Sequence, residues 1–163
     1  MNKKMKIIGK VFFVLALIGC FVSCKKEIEI EAGFYIARFD GSFTDSSGRI
    51  FQIVQNQRFF FREVTDDAII LSAYTKWIKK GNQIEGILCS LNDTVIDGIV
   101  YQFDFINTKG VLFEQNGEYG ISGDFACEVN ALHNPLSDSL WHFEGPYTLV
   151  GTFVMTKMKH LYK

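Results

Sequence analysis

The side chains best suited to move a proton or hold a metal near neutral pH are three histidines, His133, His142 and His160. A histidine base needs a serine or cysteine within hydrogen-bond reach. No Gly-x-Ser-x-Gly elbow supplies one to His142. A zinc site wants three or four ligands at set spacings, and the histidines are not grouped that way. Glycoside hydrolysis needs two carboxylates, but 18 Asp and Glu residues offer so many pairs that none is singled out. The residues therefore nominate no catalytic group, no metal and no cofactor. What they do nominate is a binding loop. Asn130 to Ser139 (NALHNPLSDS) is the longest stretch without strand-like alternation. Long loops in compact domains tend to carry function. His133, Asn134 and Asp138, with Trp141 just beyond, are its candidate contact residues.

Four cysteines are present. Cys89 and Cys127 sit in apolar, strand-like runs, and neither belongs to a Cys-x-x-Cys unit. In an exported protein they form a candidate disulfide. As buried free thiols they would act as small hydrophobes.

The other two lie in a leader. Lys3, Lys4, Lys6 and Lys10 form a basic start with no acidic residue, followed by the apolar run Val11 to Ile18. That run falls short of the ~20 residues that span a bilayer and suits a signal peptide. It ends in cysteine rather than in a small-residue cleavage site. Leu17-Ile18-Gly19-Cys20 has the better leucine for a lipobox. Phe21-Val22-Ser23-Cys24 opens onto the charged stretch Lys25-Lys26-Glu27 and leaves a core of more usual length. Cys24 is the favoured lipidation site and Cys20 the alternative. The boundaries are then a signal peptide over 1–23, a lipidated tether over 24–32, one domain over 33–158 and a basic tail over 159–163.

A lipobox cysteine followed by lysines and an acid resembles the lipoproteins of Bacteroidetes, in which such residues direct export to the cell surface. The resemblance covers about ten residues and implies an address, the outer membrane and its outer surface, reached through acyl chains that each hold by ~0.8 kcal/mol per buried methylene. Asp93-Thr94-Val95 and Asp138-Ser139-Leu140 are similar to the short O-glycosylation sequon of the same group, which implies glycans on Thr94 and Ser139.

Cleavage before Cys24 leaves 140 residues, enough for one core. The leader takes four lysines and no acid with it, so the net charge falls from −1 to −5. An acidic domain has no electrostatic case for nucleic acid. Alternation fills most of it. Tyr35, Ala37, Phe39, Gly41 and Phe43 share one parity; so do Val95, Ile99, Tyr101, Phe103 and Phe105. Two further runs behave alike, Tyr119 to Val129 and Tyr147 to Met155. Such runs predict half-buried antiparallel strands. Asp45-Ser46-Ser47-Gly48, Lys80-Gly81-Asn82, Asn107-Thr108-Lys109-Gly110 and Asn116-Gly117 are the expected turns. Residues 66–80 suit a helix or strands, and the alternation of Ile69, Leu71, Ala73, Thr75 and Trp77 favours strands.

Gly41-Ser42-Phe43, Gly123-Asp124-Phe125 and Gly151-Thr152-Phe153 each place a glycine inside a strand with an aromatic two residues later on the same face. Curved sheets use this device. The expectation is an all-β domain: a small antiparallel barrel or curved sandwich of eight to ten strands. The pattern looks like the calycin-like or lipocalin-like barrels of Bacteroidetes lipoproteins, without a Gly-x-Trp signature near the first strand. That likeness implies a ligand held in a barrel mouth. Trp77, Tyr101, Tyr119, Trp141 and Tyr147 would line such a mouth for an apolar or glycan ligand, or aromatic side chains would fill the interior. The functional expectation is non-catalytic binding of a ligand or an envelope protein by a lipid-anchored domain. The alternatives are an envelope hydrolase whose site assembles only in space, and a purely structural envelope protein.

Overall fold

The computed structural model describes residues 27–71, 75–133 and 142–158. The leader with Cys20 and Cys24, the tail over 159–163, and Asn134, Asp138, Ser139 and Trp141 lie outside the described residues.

The described chain is all strand and connection. In order the strands are β1 (Gly33–Thr44), β2 (Ile50–Phe61), β3 (Glu63–Val64), β4 (Ala68–Ile70), β5 (Lys76–Lys80) and β6 (Gln83–Leu88). Then come β7 (Thr94–Ile96), β8 (Ile99–Phe103), β9 (Ile106–Gln115), β10 (Glu118–His133) and β11 (His142–Lys157). Nine of them form a curled, antiparallel half-barrel in the order β2-β1-β11-β10-β9-β6-β5-β4-β3, and the β7–β8 hairpin pairs with β10. Only Arg62 separates β2 from β3, so the two ends of the sheet meet there. Along the rest of β2 the gap is bridged by side chains. Gln55 donates to Asn92 O (2.7 Å) and accepts from Asn92 N (3.0 Å), and Gln57 donates to Ser90 O (3.3 Å).

Curvature comes from glycines. Gly41 of β1 pairs with Gly151 of β11, and Gly123 of β10 pairs with Gly110 of β9. A Cβ at Gly151 would lie 2.2 Å from Asp40 O. The rings of Phe125 and Phe153 cover Gly41 and Gly110, as the ring of Trp77 covers Gly86. A line of backbone close approaches thus crosses the sheet, with aromatics of β5, β10 and β11 packed over three of its glycines.

The interior is aromatic. Tyr35, Phe39, Phe61, Trp77 and Phe153 are fully buried. Tyr35 stacks on Phe61 at 4.0 Å, and Phe39 meets Phe125 edge-on at 5.3 Å. Of the aromatics expected to line a mouth, Trp77 and Tyr101 are packed into this core, Tyr147 is half-buried and Tyr119 is exposed.

Several local expectations are corrected. Asn107 to Gly110 is no turn but the start of β9; its glycine serves the bend opposite Gly123, and Thr108 Oγ1 donates to Gly86 O at 2.8 Å. Val95 to Phe105 is not one strand. Asp97 and Gly98, with φ of 51° and 80°, make a two-residue turn between β7 and β8. A break at Asp104 and Phe105 then shifts parity, so Ile106 is buried and Phe105 is 67% exposed. Asn130 to His133 continues β10 rather than opening a loop. Within 66–80 the described residues form β4 and β5, with Ile69 opposite Trp77.

The candidate disulfide is absent, because Cys89 and Cys127 are both free. Cys89 follows β6 and Cys127 lies in β10, with β9 between them. Two inter-strand steps are ~9.6 Å, beyond the ~7 Å that a bridge tolerates between Cα atoms. Burial, with the charge of Asp104 adding to it, pushes the Cys127 thiol up to about 12. Burial raises the Cys89 thiol as well, but Cys89 is exposed and Cys127 is not. At a pH above the usual thiol range, a reagent should therefore modify Cys89 in a folded chain beginning at Lys25, and Cys127 only on unfolding. Two fast equivalents, or a peptide linking the two cysteines, would contradict this packing.

Candidate functional site at the open end of the half-barrel

Strand β1 runs from the end that carries the N-terminal segment to the opposite end, where the β1–β2 turn, the β7–β8 turn and the start of β11 come together. The register of β10 and β11 slips there. Val129 pairs with Tyr147 but Ala131 pairs with Glu144, leaving one extra residue on β11 at Gly145-Pro146. Proline has no N–H for the ladder, and a bulge is one of the places a sheet accepts it. The bulge inverts the facing of what precedes it. Below it Tyr147 and Leu149 point inward by odd number; above it Glu144 and His142 join the inner face, paired with Ala131 and His133.

The result is a convergence that no linear spacing suggests. The Glu144 carboxylate accepts from the Ser46 hydroxyl of the β1–β2 turn and pairs with His133 Nε2 at 3.1 Å. The Tyr147 phenol also bonds to it. These bonds, Ser46's first, hold the Glu144 carboxyl below its usual range against a smaller opposing effect of desolvation. His142 stands 6.0 Å from His133, ring centre to ring centre. Burial, and after it Glu144, raise Tyr147 above the usual phenol range. Tyr101 is raised by burial and then by the charge of Asp45.

Beneath this polar group lies an aromatic floor. Phe43 stacks on Phe51 at 5.0 Å and on Tyr147 at 5.9 Å, and Tyr101 leans on both phenylalanines at 5.3 and 5.2 Å. Arg49 caps it, 4.7 Å from the Phe51 ring centre, while bonding Asp97 of the β7–β8 turn at 2.7 Å. Asp45 bonds the amides of Ser47 and Arg49, each at 2.9 Å, which sets the turn that presents Ser46.

The order of the polar groups limits their chemistry. A serine nucleophile needs a histidine at its hydroxyl and a carboxylate behind that histidine. Here the carboxylate stands between Ser46 and His133, so the hydroxyl proton is committed to Glu144. Among the described residues no group of three or more His, Cys, Asp or Glu is arranged to hold a metal. The arrangement can accept and donate hydrogen bonds beside the half-buried ring of Tyr147, over a floor whose other three rings are buried, which is the chemistry of recognition.

Of the residues singled out in the sequence, His133 belongs to this site and His142 lies beside it; Asn134, Asp138 and Trp141 lie outside the described residues. Thr94 is half-buried and its hydroxyl accepts from Gln55 Nε2 at 3.0 Å. Glu144, Ser46, Tyr147 and Arg49 were not singled out. The available signal was Gly145-Pro146 inside an otherwise alternating strand. Two shallow grooves on the outer face, of about 470 and 530 Å³, share Glu85, Lys109 and Asp124 but hold no comparable convergence. The chain matches no known family model, no curated protein and no solved structure.

Proposed function

We propose that this chain is a lipid-anchored protein of the bacterial outer membrane that binds a hydroxyl-rich ligand, a glycan, at the open end of its half-barrel without transforming it. The observation that carries the reading is the convergence of Glu144, His133, Ser46 and Tyr147 above the Phe43–Phe51–Tyr101 floor. Sugars offer hydroxyls to a carboxylate and apolar C–H faces to aromatic rings; this end offers the Glu144 carboxylate and the half-buried ring of Tyr147, which the buried Phe43 supports from below. The leader and the cysteine opening onto Lys25-Lys26-Glu27 support the address.

The test is glycan binding by the mature chain, beside native mass spectrometry of protein gently extracted from its own cells. Saturable binding of one glycan class is expected. Glu144→Ala should weaken it by about 10- to 100-fold, the range of a hydrogen bond to a charged group. Binding unaffected by Glu144→Ala would move the site elsewhere. No glycan binding, together with a mass showing no bound ligand, would sink the carrier reading.

A further inference from the structure

The segment before β1 is fastened rather than slack. Glu27 is ion-paired with Lys79 of β5, whose side chain is only 6% exposed. Ile28 N donates to Asn82 Oδ1 at 2.8 Å. Ile30 is buried in the core cluster. Glu31 accepts the Tyr35 hydroxyl on its carbonyl (2.7 Å) and pairs through its carboxylate with Lys157. Residues 27–31 therefore form a strap across the end of the half-barrel opposite Glu144, running from β5 to β1. Cys24 lies three chain steps before Glu27, with Lys25 and Lys26 between them. Fully extended, these steps reach at most ~11 Å. An acylated Cys24 would leave this end no room to stand away from the lipid.

The same end carries an exposed aromatic pair. Phe34 and Phe60 face each other across β1 and β2 on the outer surface, ring centres 4.8 Å apart and 60% and 48% exposed. Ile36 lies one pleat further along, opposite the exposed Arg58, and the exposed Arg62 follows β2 directly. Aromatic rings favour the headgroup layer, and guanidinium groups pair with phosphate.

We infer that the strapped end rests on the lipid surface, with Phe34 and Phe60 entering the headgroup layer and Arg58 and Arg62 meeting lipid phosphates. The inference rests on the reading that Cys24 is acylated. The ligand site then faces away from the membrane at the far end of β1, whose 12 residues span ~40 Å along the strand.

The test uses full acylated protein, its acyl mass confirmed, in vesicles of phosphatidylethanolamine and phosphatidylglycerol brominated high on the acyl chains. Phe34→Trp and Phe143→Trp place reporters at opposite ends; both positions are exposed, and unchanged denaturation midpoints will verify folding. The emission added by Phe34→Trp should be mostly quenched, and that added by Phe143→Trp left intact. Equal emission from both, with the acyl mass present, overturns the docking while leaving the anchor standing, and would make a protein the occupant of the aromatic pair. Quenching of Phe143→Trp instead would invert the orientation and overturn it too. A mass without acyl chains on Cys24 removes the anchor reading and this inference together.

Discussion

Replacing Trp77 by alanine should cost about 3–5 kcal/mol, the range for truncating a large buried aromatic. Trp77 is fully buried, 6.0 Å from the Phe61 ring and 6.3 Å from that of Phe153, and its indole edge fills the space that Gly86 leaves open. It joins β5 to the part of the sheet holding β11, so its loss opens a void at the seam. Domains of this size are stable by ~5–15 kcal/mol, so the variant should unfold at a much lower denaturant concentration. Trp77→Phe should recover more than half of the loss. A ring still covers Gly86, and the substitution removes the buried indole N–H, which finds no acceptor among the described residues and carries a desolvation penalty of ~1–3 kcal/mol. Equilibrium denaturation of the three proteins decides it. An alanine variant within 1 kcal/mol of wild type would mean that β5 is not packed as described.

Alternation made most of this sheet legible. Tyr35 to Phe43 and Ile121 to Val129 keep a strict period of two over a buried face, and that period follows from strand geometry alone. The failures have physical reasons. Asn107 to Gly110 has turn composition, yet its glycine is needed where two backbones nearly touch. The Asp97-Gly98 turn is hidden because a two-residue turn preserves odd-even parity, so Val95 and Ile99 keep the parity of a single strand. The site was least legible. Glu144 has the even parity of an outward residue, and only the bulge at Gly145-Pro146 turns it inward. Ser46 is 98 residues away from Glu144 and is brought to it by the curl of the sheet. His133 could be named for its chemistry, whereas its partner depended on register.

That curl is the object of the second large prediction, Gly123→Ala. Elsewhere in a strand this exchange stabilises by roughly 0.5–1 kcal/mol, because glycine loses more freedom on folding. Here the sign should reverse. A Cβ at Gly123 would sit 2.0 Å from Lys109 O and 2.4 Å from Gly110 Cα. Both are backbone atoms of the neighbouring strand, so no side-chain rotation can relieve the contact; β9 and β10 must separate. Overpacking of this kind costs ~1–3 kcal/mol and occasionally more, and a backbone clash belongs at the upper end. Ser122→Ala, one residue away on the opposite face, should stay within about 0.5 kcal/mol of wild type as an ordinary surface change. Denaturation midpoints of the two variants separate the explanations. A destabilised Gly123→Ala beside a neutral Ser122→Ala locates the requirement in the close approach of the strands. A neutral or stabilised Gly123→Ala would show that β9 and β10 have room to spare, and that the glycines do not set the curvature that brings Ser46 to Glu144.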